Sequence, residues 1–457
     1  MNGDRKLDTH GRLAVAAALL VTAVAAVYGL LSTGTYYDDD IAHYLIARYA
    51  WKHPGLFMQT WGRPAFTILY APAAALGFGA VRCFSAVLAG VVCFMAARLA
   101  KLYGVRWYWL AALLTGFQPE VLKLAFSCLT ELTFMFILCG ALIAYRRQKW
   151  TWMAFAAGWL PMARYESAPL LLVFAIILLW RRKPAALAWL AAPLLIHNIY
   201  HAVELKTATA LLFPLDQALG IRPGVSPWDL PYGKPLYYVG LMPRAYGWIV
   251  LLLALAAAFT SPFNLLDLCV VITVAVVCIL HAWFPTAGIP TGYTRYLSPA
   301  APAFGVLAAL GLEKLVTRVK KREFAIALPI GLAAAVAAIT LLQVRPFAIT
   351  PEREAVNSAA QWFVESPYHD RLVIGAHTCF TFAADLDRFD DRVFQMITPA
   401  NIEAAPKGAV VVWDSHYSHR LRYRTPLNKL TDDPRFRELK SWQSGGFRII
   451  AFEKVAL

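Results

Sequence analysis

Apolar residues along this chain gather into runs separated by short polar stretches, and the runs lie close to the ~20 residues that cross a hydrocarbon core as a helix. The pattern predicts spans over 13–31, 80–100, 107–123, 127–145, 150–163, 167–180, 184–203, 245–260, 265–284, 296–313 and 324–344, about eleven helices. The first run, Leu13 to Leu31, follows Arg5, Lys6 and Arg12 and resembles a signal sequence, but it is longer than an ordinary h-region and reads as an uncleaved first helix. Segment 64–78 (PAFTILYAPAAALGF) is apolar as well. Counting it as a crossing would reverse every later helix and place the basic clusters outside, so it reads as half-inserted or interfacial.

The basic clusters set the orientation. They are Arg98/Lys101/Arg106, Arg146/Arg147/Lys149, Arg181/Arg182/Lys183 and Lys314/Arg318/Lys320/Lys321/Arg322, and with the N-terminus inside all of them face the cytoplasm. Three parts then face outward: a first loop at 32–63, a second at 204–243 rich in proline and aromatics, and the tail from about 346. In the tail RLVIGAH (371–377), GAVVVWD (408–414) and FRIIAFEK (447–454) read as strands, and 352–365 as a helix opening after Thr350-Pro351. The predicted organisation is a transmembrane domain over 1–345 and a small extracytoplasmic α/β domain over 346–457.

Composition agrees with a membrane class. The chain is 59% hydrophobic and 16% charged, against roughly 45–50% and about 25% in soluble domains. Its net charge of +15 would suit nucleic acid, yet residues 346–457 carry fourteen basic and fourteen acidic side chains. The excess therefore lies between the spans, where a positive-inside bias places it, and no nucleic-acid partner is implied. None of the seven cysteines forms a CxxC pair, so neither a disulfide framework nor a zinc site is indicated.

Candidate chemistry is densest at Thr35-Tyr36-Tyr37-Asp38-Asp39-Asp40-Ile41-Ala42-His43-Tyr44, just outside the first span. Three adjacent carboxylates repel one another, and a cation, a proton or a basic ligand relieves the crowding. One reading makes a carboxylate the general base toward an acceptor hydroxyl, with a neighbour fixing the acceptor or a divalent metal. The plainer reading is a solvated acidic turn capping a helix that begins near Ile41. Downstream, Arg63 follows Trp61-Gly62 at the entrance to the half-inserted segment, where an arginine suits a lipid phosphate and a tryptophan suits interfacial anchoring.

Glu120, Lys123, Glu131, Arg164, Glu166, His197 and Arg295 lie in or near the outer halves of spans, where charge is costly and marks a site. Arg164 and Glu166 can equally be a structural ion pair between two short helices, and Arg295-Tyr296 an interfacial snorkel. His416-Tyr-Ser-His419 is an HxxH pattern in a loop, too weak a signal to assign a metal, and His10 stands alone.

Taken in order, these residues resemble the GT-C superfamily of membrane glycosyltransferases, in particular its protein O-mannosyltransferase and lipid A aminoarabinose transferase branch. The matching features are Asp39-Asp40, Ile46-Ala47-Arg48, Gly62-Arg63-Pro64, Glu131 early in a central helix, Arg164 and Glu166 between short helices, and the run from Arg295 to Pro299 opening a late helix. Together they cover most of residues 1–345. The chain departs from the family in carrying aspartate where the second acid is commonly glutamate, and Arg63-Pro64-Ala65 where Lys-Pro-Pro is usual.

The resemblance implies an all-α polytopic membrane protein with a GT-C-like fold. It implies an inverting enzyme of the inner (plasma) membrane that moves a hexose or pentose from a polyprenyl-phosphate donor to a glycan, lipid or protein acceptor. Asp39, then Asp40, would be the base; Arg63, Arg164 and Arg295 would hold the donor phosphate; Asp38, His43, Glu131, Glu166 and Tyr296 would line the substrate. No metal is obligatory, although Mg²⁺ or Mn²⁺ could sit at the acidic loop. The rival reading is a transporter or lipid flippase, since scattered intramembrane charges also mark transport pathways; against it, the chain shows no paired halves with matching broken helices.

Overall fold

The computed structural model describes residues 8–205, 213, 236–283, 293–419 and 425–456. Most of the expected outer loop at 204–243, the loop Pro285–Thr294 but for its end, and Arg5 and Lys6 lie outside the described residues. The chain divides into two compact units, one of Met1–Leu30 with Phe57–Arg345 and one of Leu31–Leu56 with Pro346–Leu457.

The first unit is helical. Thr9–Leu31, Phe78–Leu102, Pro184–Glu204, Thr294–Val316 and Arg322–Gln343 are each long and apolar enough to cross a membrane, and Tyr237–Tyr246 with Trp248–Thr260 forms a sixth such element bent by 109°. The bend falls at Gly247, whose φ of 81° a side chain would resist. The apolar helices Tyr165–Trp180 and Leu265–Ile279 are shorter. Several expected spans are thus broken. Run 107–123 is two helices, Leu110–Gly116 and Pro119–Leu124, because Pro119 has no N–H to donate and holds Gln118 in an extended conformation. Apolar content identifies such segments without showing where they break.

A break inside an apolar unit leaves carbonyls that must find donors. Here the Gln118 side-chain amide donates to the Leu114 and Ala301 carbonyls at 3.0 and 2.9 Å, and the Thr340 hydroxyl donates to the Phe117 carbonyl at 2.5 Å. Small residues let helices approach closely. A Cβ at Gly311 would lie 1.8 Å from the Leu253 carbonyl oxygen. Helix Pro64–Ala74 has 11 residues, about half the length needed to cross.

The second unit carries a five-stranded sheet, β1 (Val373–Gly375), β2 (Val393–Phe394), β3 (Val410–Asp414), β4 (Phe436–Ser444) and β5 (Phe447–Lys454), in the order β2-β1-β3-β5-β4. β1 runs parallel to β2 and β3, while β5 runs antiparallel to β3 and β4. Ile374, Ile397, Val411, Trp413, Ile450 and Phe452 pack its core. Helix Pro351–Glu365 opens at Thr350, whose hydroxyl accepts from Arg353 N–H, as the Thr-Pro signal predicts.

The first loop belongs to this unit. Gly34 N–H donates to the Phe347 carbonyl at 2.8 Å, Phe347 N–H donates to Ser32 Oγ at 2.9 Å, and the Tyr36 and Phe347 rings stack. Helix Asp38–Tyr49 adds an Arg48–Asp385 pair at 2.6 Å, and beyond it Lys52 and His53 share Asp387 at 2.8 and 2.9 Å. Burial alone would raise the Asp387 carboxyl, but its hydrogen bonds with Lys52 and His53 outweigh burial and hold it below its ordinary 3.8.

Gly311→Val should lower the thermal midpoint of the full-length protein in detergent, because the obstructing atom is backbone; overpacking of this kind costs about 1–3 kcal/mol. Gly331→Ala, with nothing within 4 Å of its added methyl, should leave the midpoint unchanged or raise it. A depressed carboxyl contributes stability that is present above 3.8 and lost as pH falls below it. Asp387→Asn should therefore be less stable than the parent chain at neutral pH, with the gap closing as a melting series is taken down through 3.8.

Candidate active site

Helix Asp38–Tyr49 begins at Asp38, not near Ile41, and its N-cap is Tyr37, which makes no side-chain cap bond. All three aspartates therefore occupy the first turn, where the positive end of the helix dipole offsets their mutual repulsion. Their surroundings then differ. Asp40 is fully buried and its Oδ2 accepts from Tyr36 N–H at 2.8 Å, closing the turn. Asp38 accepts from the Tyr417 hydroxyl at 2.7 Å and from the Cys379 thiol at 3.2 Å. Asp39 is half-buried, and four residues on, His43 lies buried on the same helix face.

The same unit gathers residues that the sequence did not bring together. Glu352 Oε1 lies 2.9 Å from His377 Nε2 and 2.6 Å from His416 Nδ1. Burial alone would raise the Glu352 carboxyl, but the two imidazoles outweigh it and bring its pKa down to about 2. Burial alone would lower His377, and its bonds with Cys379 and Glu352 instead lift it to about 10. With Asp38 these residues offer a metal-compatible group, which His419 does not join. His416 thus has ligand-type neighbours in space although none lies at ligand spacing along the chain. Glu352 reads in sequence as an acidic first-turn residue and His377 as a strand end, and no local signal links them.

In the first unit, Glu131 opens its helix, Glu131–Arg146, and is 1% exposed. Arg164 sits where helix Leu160–Ala163 ends in extended backbone, and its guanidinium reaches Glu131 at 2.5 Å and Glu166 at 2.8 Å. Arg295 Nε lies 3.7 Å from the same Glu131 oxygen. Tyr296 provides a ring face to both arginines, and Tyr293 to Arg295. Arg63, at a positive φ of 61°, places its guanidinium 3.9 Å over the Tyr165 ring and forms no ion pair among the described residues. The structural pair expected of Arg164 and Glu166 is present, with Glu131 added. Arg295 is buried at the start of its helix rather than snorkelling outward.

An anion beside this network would meet Arg63, which forms no ion pair among the described residues, whereas Arg164 already faces two carboxylates and Arg295 shares one of them. Removing one member of a buried ion pair costs about 3–5 kcal/mol. Glu131→Gln should lower the thermal midpoint in detergent clearly more than Glu166→Gln, whose side chain is 18% exposed; equal effects would show that Glu131 does not anchor the network.

No family model matches the chain, and no curated protein matches it. Two solved structures do. ArnT from Cupriavidus metallidurans in the apo state matches with a TM-score of 0.62 at 12% identity, over 96% of this chain and 97% of that one. ArnT from the same organism bound to undecaprenyl phosphate matches with a TM-score of 0.59 at 13% identity, over the same 96% and 97%. The likeness to ArnT is one of fold, and it extends over nearly the whole chain.

Proposed function

We propose that this protein is a multi-pass membrane glycosyltransferase of inverting type, moving a monosaccharide from a polyprenyl-phosphate donor to an acceptor hydroxyl. The observation that carries the reading is the fold shared end to end with ArnT, one of whose structures holds undecaprenyl phosphate. The membrane part comprises residues 1–30 and 57–345, with the N-terminus cytoplasmic, and the lobe of residues 31–56 and 346–457 is extracytoplasmic. The acceptor is a hydroxyl of a glycan, a lipid or a protein.

Asp39 is the base: it is the first acid of the Asp39-Asp40 pair that resembles the family motif, and it stands in the first turn of its helix. It takes the proton of the acceptor hydroxyl, whose oxygen bonds to the anomeric carbon from the face opposite the phosphate. The bond from that carbon to the phosphate oxygen breaks, and polyprenyl phosphate departs with the electron pair. Arg63 and Arg295 stabilise the charge that develops on the phosphate, and Arg164 is held by Glu131 and Glu166 to orient the site. His43 and Tyr296 line the substrate. The transfer step requires no metal.

Purified full-length protein should release polyprenyl phosphate from one member of a panel of polyprenyl-phosphate sugars when membrane extract supplies the acceptor. Asp39→Asn should reduce release by about 10²–10⁴-fold and Arg63→Gln by about 10²–10³-fold, while Asp40→Asn, which keeps an acceptor for Tyr36 N–H, should reduce it less. Full release by the Asp39→Asn variant would remove Asp39 as the base. Absence of release with every donor from a folded, lipid-binding protein would favour transport.

A further inference from the structure

We infer that Asp38, Glu352, His377 and His416 form a closed binding site for one divalent transition-metal ion of the zinc class. One potential ligand atom from each lies within 4.8 Å of all the others. Around zinc, oxygen and nitrogen ligands stand ~2.0–2.2 Å from the ion, hence roughly 3.3–3.6 Å from one another in a tetrahedron. The group is already near that size, and Glu352 Oε1 is closer still to both imidazoles. A dication would enter by spreading the Glu352 contacts slightly and drawing Asp38 inward.

The donor set selects the ion. Magnesium and calcium favour all-oxygen shells, whereas two imidazoles with two carboxylates suit zinc and its first-row neighbours. Charge balances too, since Asp38 and Glu352 together neutralise a dication when both histidines are uncharged. Supporting bonds are in place around Asp38, from the Tyr417 hydroxyl at 2.7 Å and the Cys379 thiol at 3.2 Å, as the outer shell of a metal site requires. Ligation through His377 Nε2 moves that ring's proton to Nδ1. The 3.3 Å contact from Cys379 N–H is then given up.

Four protein ligands leave no open position, so the role is structural. The ion would tie the start of helix Asp38–Tyr49 to helix Pro351–Glu365 and to the turns after β1 and β3. It would thereby fix the backbone of the acidic turn, including Asp39. This inference does not depend on the transferase reading.

The test uses full-length protein, freed of any affinity tag, stripped with a chelator and titrated with Zn²⁺ and separately with Co²⁺. One ion per chain is expected, with a rise in thermal midpoint and, for Co²⁺, the visible absorption of a tetrahedral centre. His416→Asn and Glu352→Gln should each weaken binding by more than about 100-fold, and Tyr417→Phe by about tenfold, in variants whose elution profile matches the parent chain. Binding well below one equivalent, a Co²⁺ spectrum without tetrahedral bands, or affinity unchanged in the His416→Asn and Glu352→Gln variants would overturn the assignment.

Discussion

A guanidinium inside an apolar helical unit has to be met by carboxylates, and the architecture around Arg164 follows from that requirement. Arg164 is positioned by a chain break, not by a helix face. Helix Leu160–Ala163 stops, the backbone turns extended at residue 164, and a short helical turn, Tyr165–Ser167, brings Glu166 back toward the same guanidinium. Glu131 completes the pairing from the first position of its own helix, where the dipole favours a negative charge. Interruptions in the helical pattern are therefore where this unit can place polar chemistry. Gln118 shows the same logic with a neutral side chain, occupying a break and donating to the Leu114 carbonyl before it and to the Ala301 carbonyl of another helix.

The acidic turn meets a related constraint by different means. Three neighbouring carboxylates at a helix start are tolerable if their surroundings differ, and they do: Asp40 is buried against the backbone of its own turn, Asp38 is drawn to Tyr417 and Cys379, and Asp39 is half-buried. The division needs residues from 346 onward, since Asp38 has its partners there. A loop that looks solvated in sequence is in fact built into a lobe with a sheet and a core.

Much of this was legible in the sequence, at the level where local pattern decides. The apolar runs mark the helical unit, Thr350-Pro351 marks the start of a capped helix, and the valine-rich and isoleucine-rich runs mark β1, β3 and β5. β4 escaped notice because FRELKSWQS is largely exposed and offers no apolar run, and β2 because it is two residues long. The helix breaks were hidden because one proline or glycine within a long apolar run lowers its mean hydropathy too little to mark the position. Asp39, Arg63, Glu131 and Arg164 could be singled out because like charges crowded together, or charge in an apolar context, are locally visible. Glu352 and His377 could not, for their meaning comes from a meeting with residues 38 and 416 that only the tertiary fold creates.

The charges of the first unit also bear on the direction of the proposed reaction. Arg164, Glu131, Glu166 and Arg295 sum to zero, and Arg63, stacked on the Tyr165 ring between Arg164 and Glu166, adds one positive charge within electrostatic reach of Glu166. A sugar phosphodiester brings a single negative charge, which that excess neutralises. As the anomeric bond breaks, the phosphate moves toward a monoester with a second negative charge, so its attraction to the arginines is stronger in the transition state than in the bound donor. That difference is what accelerates a chemical step. Had the network contained one more carboxylate, the donor would meet a neutral site and the gain on bond breaking would shrink. The pairing of Arg164 and Arg295 with the two glutamates therefore holds the site together while leaving the surplus charge on Arg63, where a leaving phosphate can use it.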